Sequence, residues 1–311
     1  MSRAAEIYPA DRLTLREVGL RDGLQMVKTW PDTAAKEDWI RREHAAGVRH
    51  FEIGSFLPAT RFPQFADVPD LARVAAVEGV HGIALALNER GVRDALDAPV
   101  GEVGLVISAT EAHSRANQNR SRAEALDLVR MAVEERPERG PLIGVGISMA
   151  FGCSISGAVP QAEVLKICEA LLEAGVDLIG LADTVGYGGP DAVAALTRDA
   201  RALAGDVPIC IHLHDTRGLG LANAAAAMDA GARVLDGALG GLGGCPFAPG
   251  ATGNVVMEDL AFLAATKGVE TGIDLDALIG VREILATAMP GETLHGALAR
   301  AGPPKLEAAP A

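Results

Sequence analysis

Three short passages concentrate the side chains able to do chemistry. The first is Ile209-Cys210-Ile211-His212-Leu213-His214-Asp215. Residues two apart on a strand share a face, so Cys210, His212 and His214 point one way and Ile209, Ile211 and Leu213 the other. With the apolar set against a helix layer, both imidazoles lie inside the fold at the strand's C-terminal end. Two histidines at i and i+2 suit one divalent metal ion. A buried, hydrogen-bonded histidine pair is the other reading, but two such rings at one mouth are hard to satisfy without a ligand, which favours the metal.

The second passage is Glu17-Val18-Gly19-Leu20-Arg21-Asp22-Gly23-Leu24-Gln25. A charged pair followed by glycine marks a strand end bending over a mouth. Asp22 offers a hard oxygen ligand and Arg21 a fixed cation. A lone Arg-Asp-Gly triplet also occurs as a local ion pair shaping a loop. The third passage, Gly240 to Asn254, holds six glycines and two prolines around Cys245. A mobile loop of this kind would seal a site and deliver a thiol as proton donor. An ordinary flexible loop with an incidental cysteine is the alternative. Asn254 is expected to open the following helix, where it caps backbone N–H groups or turns its carbonyl to a metal.

These residues need a scaffold that brings strand ends together. Short apolar runs recur near 13–19, 48–54, 82–87, 102–108, 142–149, 177–182, 208–214 and 233–239. Stretches of helical periodicity lie between them: Thr33–Ala46, Val68–Val77, Arg122–Glu135, Gln161–Ala174, Asp191–Leu203, Leu219–Ala230 and Asn254–Thr266. Eight strand–helix repeats predict an α/β fold, a closed (β/α)8 TIM barrel, whose active site lies at the C-terminal strand ends. An open doubly wound sheet is disfavoured because no G-x-G-x-x-G turn follows the first strand. With no linker or composition break, residues 1–311 read as a single catalytic domain, the barrel spanning about 12–270 and a short C-terminal extension about 271–311.

Of the 311 residues, 49% are hydrophobic and 22% charged, which excludes a disordered chain. A net charge of −13 argues against nucleic acid and anionic membrane as partners. No apolar run reaches membrane-spanning length, and the N-terminus resembles neither a signal nor a transit peptide. The four cysteines form no C-x-x-C pair and fit a reducing compartment. A cytoplasmic homo-oligomer, a dimer or larger, is expected.

Taken together, the RDGLQ strand end, the HLHDT strand and the GLGGCPFAPGATGN loop resemble the hydroxymethylglutaryl-CoA lyases. The resemblance runs from about Leu13 to Gly272. It implies that Asp22, His212, His214 and Asn254 bind Mg2+ or Mn2+, leaving two octahedral positions for a hydroxy-acid. It assigns Arg21 to the thioester enolate, Cys245 to proton transfer, and Glu52 and Asp183 to roles beside the site; for both acids, merely holding an arginine in place is the alternative. Gln25 supports the same mouth. The segment Ser114–Arg122 resembles the family's loop beside coenzyme A, which makes Ser114, Arg115, Asn117 and Arg120 candidate contacts, weighed evenly against a solvated helix start.

The activity implied is cleavage of 3-hydroxy-3-methylglutaryl-CoA, or a close 3-hydroxyacyl-CoA, to acetoacetate and acetyl-CoA. The alternatives are a lyase for another 3-hydroxyacyl-CoA or a malate-like hydroxy-acid, and an acetyl-CoA-dependent condensing transferase. A catalytically silent metal-binding barrel is a poorer match, given Arg21 and Cys245. Three passages depart from the family: Phe151-Gly152-Cys153-Ser154-Ile155-Ser156-Gly157, Asp236-Gly237-Ala238, and His113 where an aromatic is common. The first follows the fifth expected strand and lacks the family's proline, aromatic and acid. It is expected to border the acyl pocket or its entrance, and to leave a roomier pocket that takes C3 substituents larger than methyl. Cys153 has no evident role, Cys168 belongs to a helix core, and His44, His50, His81 and His295 read as structural or exposed.

Overall fold

Alternation along each strand sorts the barrel into an inside and an outside. The computed structural model describes residues 2–243 and 253–304. Its strands are β1 (Thr14–Glu17), β2 (His50–Ser55), β3 (His81–Leu85), β4 (Glu102–Ser108), β5 (Leu142–Ser148), β6 (Leu178–Asp183), β7 (Ile209–Leu213) and β8 (Val234–Gly237). Each pairs in parallel with the next, and β8 closes on β1. Ile209, Ile211 and Leu213 pack outward in the core between sheet and helices. His212 and His214 line the interior, as the alternation predicts.

The helices of the outer ring include α2 (Thr33–Ala45), α3 (Val68–Glu78), α4 (Glu89–Leu96), α6 (Arg122–Glu135), α7 (Gln161–Ala174), α8 (Pro190–Ala204), α9 (Gly220–Asp229) and α10 (Met257–Thr266). Three of them hand over to the next strand through left-handed glycines, Gly47, Gly175 and Gly231, a conformation that side chains with a Cβ resist. Between β4 and α6 lies a short helix, α5 (Glu111–Gln118), where the sequence supports a loop and a helix start evenly. Thr110 caps it by accepting from the His113 amide.

The barrel's lower end is plugged. Helix α1 (Arg3–Ile7) and Tyr8 bring Ala4 and Tyr8 against Leu142, Leu178, Cys210 and Val234. Residues after 270 are not a loose appendage. Helix α11 (Leu275–Ala288) lies on α2, where Arg42 donates to the Gly280 carbonyl at 2.8 Å. Helix α12 (Ala297–Ala301) is capped by Asp259 of α10, which accepts from the Ala297 and Leu298 amides at 2.8 Å. No helix among the described residues is long and apolar enough to cross a membrane.

Candidate active site

The chain leaves β1 through a π-helical turn, Gly19–Gly23. Such turns are rare and gather at functional sites. Here the Val18 carbonyl accepts from the Arg21, Asp22 and Gly23 amides at 3.2, 2.8 and 3.2 Å. This tight coil presents Arg21 and Asp22 side by side at the barrel mouth. Gly19 cannot be replaced cheaply, because a Cβ there would run into Glu17 and the Trp39 ring.

Asp22 meets the two histidines of β7. His214 Nε2 lies 3.4 Å from Asp22 Oδ2 and 3.0 Å from His212 Nε2. One ligand atom from each of the three falls within 4.8 Å of the others. Asn254 completes the set by a route different from the helix start expected of it. It pairs with His214 in an isolated antiparallel bridge, and α10 begins only at Met257. Its amide donates to Asp22 Oδ2 at 2.8 Å and to the Leu242 carbonyl at 3.0 Å. That leaves Asn254 Oδ1 buried without a donor among the described residues. A carboxylate, two imidazoles and an orphaned carbonyl oxygen are a donor set that fits a divalent cation.

Arg21 is clamped from two sides. Its Nη1 lies 2.7 Å from Asp22 Oδ1 and 3.2 Å from Gln25 Oε1. Its Nε lies 2.7 Å from Glu52 Oε2. Burial disfavours the guanidinium charge, but Glu52 and Asp22 outweigh it and raise the pKa, so the cation is permanent. Burial pushes the Glu52 carboxyl up against the pull of Arg21. It also opposes ionisation of Asp22, yet Arg21 and the histidines hold that carboxyl well below its usual range. A register shift between Glu52 and Gly54 bulges β2 and turns Glu52 toward the mouth. The expected alternative for Glu52, an arginine holder, describes its contact.

A cavity of about 210 Å3 opens inward from these residues. On the β4–β6 side its wall is Gly104, Gly144, Gly146, Gly180 and Ala182. Beneath the cavity lies a buried charged layer that sequence reasoning passed over. Asp236 of β8 sits 3.0 Å from His212 Nδ1 and takes a two-pronged contact from Arg16 of β1, at 2.6 and 3.0 Å. Glu102 of β4 lies 3.5 Å from Arg16 and accepts from Tyr8 at 2.7 Å. Burial works against His212 protonation, but the hydrogen bond and charge of Asp236 raise its pKa. The one signal the sequence offers is Asp236, and only as part of a departure from the family pattern; Arg16 and Glu102 carry none.

Other expected residues fall differently. Asp183 is buried, and its carboxylate accepts from the Tyr187 and Gly188 amides at 2.8 and 3.0 Å. It braces the loop after β6 and does not line the cavity. Gln25 and Asn117 do line it, as does His113, which pairs with Ser108 Oγ at 3.0 Å. Ser114 is buried on α5, Arg115 turns to Glu111 at 3.0 Å, and Arg120 is half-buried. The Cys153–Gly157 segment does not line the cavity, so of the two places expected for it the pocket wall is ruled out. Cys153 and Gly157 exchange backbone hydrogen bonds at 2.8 Å, and the buried Cys153 sulfur accepts from Ile155 and Ser156 amides. The segment closes on itself, which gives Cys153 a structural role and leaves Ile155 exposed. Cys245 lies outside the described residues. The two feet of its loop, Gly243 and Gly253, meet so closely that a Cβ on Gly253 would overlap the Gly243 carbonyl.

Comparison with known proteins decides the family. The profile described as HMGL-like matches residues 12–285. The chain belongs to the HMGL-like family. It is 40% identical over 306 residues to an (R)-citramalyl-CoA lyase of Chloroflexus aurantiacus, covering 94% of this chain and 96% of that one. It is 34% identical to a hydroxymethylglutaryl-CoA lyase of Bacillus subtilis, covering 93% and 98%. Among solved structures, an HMG-CoA lyase from Acinetobacter baumannii in complex with coenzyme A and 3-methylmalate superposes with a TM-score of 0.88 at 35% identity, covering 97% and 99%. The HMGL-like chain is thus an enzyme, a carbon–carbon lyase on a TIM barrel.

Proposed function

We propose that this single-domain chain is a divalent-metal-dependent lyase that cleaves a 3-hydroxy-3-methyl dicarboxylic acyl-CoA, releasing acetyl-CoA. The observation that carries the reading is the convergence of Asp22, His212, His214 and the orphaned Asn254 Oδ1 beside Arg21, at the mouth of an interior cavity. Mg2+ or Mn2+ held there would lower the pKa of the substrate's tertiary hydroxyl. The remaining work falls to the chain. The tertiary hydroxyl gives up its proton to water or a base at the mouth; as the C2–C3 bond then breaks, its electron pair moves into the thioester and the alkoxide at C3 becomes a ketone. Arg21, fixed by Glu52 and Asp22, places a permanent cation where the enolate oxygen gains charge. A proton must then reach C2, and Cys245 is our candidate donor. The small residues of β4–β6 leave room for the acyl group, and we assign the CoA arm to the side of the cavity that Asn117 lines; Ser114, Arg115 and Arg120, the other candidates the resemblance offers, do not line it.

Two acyl groups fit this description. Hydroxymethylglutaryl-CoA would give acetoacetate, which the sequence resemblance favours. Citramalyl-CoA, one methylene shorter, would give pyruvate, and the 40% identity to a citramalyl-CoA lyase supports it. The test is chromatographic assay of both esters, with Mg2+, with Mn2+ and with chelator. Metal-dependent acetyl-CoA release from either ester supports the lyase, and the partner ketone identifies the substrate. No cleavage of any hydroxyacyl-CoA, or cleavage indifferent to chelator, would overturn the proposal. The same reading keeps a cytoplasmic homo-oligomer. The unpaired thiols of Cys153, Cys168 and Cys210 support a reducing compartment, and sedimentation tests the oligomer.

A further inference from the structure

The buried layer beneath the site is wired to one of the candidate metal ligands. Arg16 and Asp236 face each other across the β1–β8 ladder as register partners. Arg16 Nε and Nη2 grip the two carboxylate oxygens of Asp236 at 2.6 and 3.0 Å, a planar fork that fixes the carboxylate's rotation. The same carboxylate lies 3.0 Å from His212 Nδ1. The opposite ring nitrogen, Nε2, is the one that approaches His214 Nε2. A neutral imidazole carries one proton. If Asp236 accepts it at Nδ1, the lone pair is at Nε2, facing Asp22, His214 and Asn254.

Asp236 is 6% exposed, and Arg16 is in turn steadied by Glu102 at 3.5 Å. Glu102 accepts from Tyr8, which follows the plugging helix and lies outside the span that matches the family profile. The connection therefore runs from the barrel's lower plug to the metal ligands. We propose that Asp236 and Arg16 are positioning residues: Asp236 sets His212 to the Nδ1–H tautomer and orientation, and Arg16 locks Asp236 in the geometry that does so. This inference rests on the metal-site reading above, and its test separates the two.

The variants are Asp236→Asn, Arg16→Met, Arg16→Lys and the double Arg16→Met/Asp236→Asn, each made in the full chain. The first readout needs no metal. Long-range 1H–15N spectra of metal-free protein, taken across a pH series up to the range where the ring is neutral, should show His212 as the Nδ1–H tautomer in the wild type and shifted toward Nε2–H in Asp236→Asn. The second readout is the Mn2+ dissociation constant, followed by electron paramagnetic resonance. It should rise roughly 10–100-fold in Asp236→Asn and Arg16→Met, and less in Arg16→Lys, which keeps the charge but not the fork. If Asp236→Asn fails to fold because Arg16 is stranded, the double variant removes both charges and is measured instead, with the same expected loss. A wild type that binds no Mn2+ would overturn the metal site, leaving the tautomer measurement to judge the positioning pair. Wild-type binding with an unchanged constant and tautomer in the folded variants would overturn the positioning pair alone.

Discussion

Replacing Arg21 by methionine separates catalysis from scaffolding at one residue. The guanidinium lies 2.7 Å from both Glu52 and Asp22, and its side chain is only 13% exposed. Two costs follow from its removal. The first is the loss of a preorganised cation at the developing enolate, about 2.7–4 kcal/mol of transition-state stabilisation, or 10²–10³ in kcat. The second is a stranded acid. Breaking a buried ion pair costs up to about 3–5 kcal/mol of stability, less if the acid takes a proton instead. Burial already pushes Glu52 up, so protonation is its way out. The double variant Arg21→Met/Glu52→Gln removes the Glu52 share of that cost, while Asp22 keeps its contacts with His214 and Asn254, and it leaves the first cost in place. We expect Arg21→Met to lose about 10²–10³ in kcat with little change in KM, as for an interaction made mainly in the transition state. We expect the double variant to recover its urea midpoint but not its turnover. Steady-state assay of acetyl-CoA release and urea denaturation give both numbers. Turnover near wild type in Arg21→Met would refute the electrostatic role. Turnover restored in the double variant would show that Arg21 matters only as a partner for Glu52.

Asp22→Ala and His212→Ala should each abolish stoichiometric Mn2+ binding and activity while circular dichroism stays that of a folded barrel; tight one-to-one binding in either variant would sink the ligand assignment. Glu17, buried between the Gly19 and Leu239 amides and near Glu258, is raised to about 8, chiefly by burial. Its folded pKa exceeds its unfolded one, so its stabilisation is full below about pH 4.5 and falls by up to about 1.4 kcal/mol per pH unit as pH rises through 8. The urea midpoint should drop between pH 6 and 9, with a shallower slope in Glu17→Gln, and equal slopes would refute the assignment. Gly146→Val should fold normally, since a Cβ there meets nothing nearer than the Leu105 carbonyl at 3.9 Å. Its side chain would occupy the acyl cavity and lower kcat/KM by about 10–200-fold, and unchanged kinetics would show that the acyl group lies elsewhere. Ile155→Tyr should leave the preference between 3-methyl and 3-ethyl esters within about twofold, as expected of a surface change; a larger shift would return the Cys153–Gly157 turn to the pocket.

What was legible in the chain is what local physics encodes. Period-two alternation and glycine stops mark all eight strands and the handover from α2, α7 and α9, because both depend on neighbours in sequence. Asp22, His212 and His214 could be brought to one mouth for the same reason: the histidines alternate at the C-terminal end of β7, and Asp22 sits in the turn that leaves the C-terminal end of β1. Asn254 was legible only as a pair of options. Capping and ligation need the same short amide, and what separates them is a bridge to His214, forty residues earlier in the chain. The Cys153–Gly157 segment misled because chain order after β5 says where a loop starts but not whether it folds over the mouth or back on itself. Its backbone chose the second through the Cys153–Gly157 pair.

Asp236 is the sharpest case. Read alone, Asp236-Gly237-Ala238 is a departure from a family pattern with no motif around it. Its partners are Arg16, 220 residues away, and His212 on the adjoining strand. An inward acid in a barrel interior is costly unless paired, and closure of β8 on β1 is what supplies the cation. The charge is therefore interpretable only after the ring is closed. A helix-to-strand reading places each candidate ligand at the mouth, but the acid that contacts His212 lies one layer deeper, on strands that only the closed barrel makes adjacent.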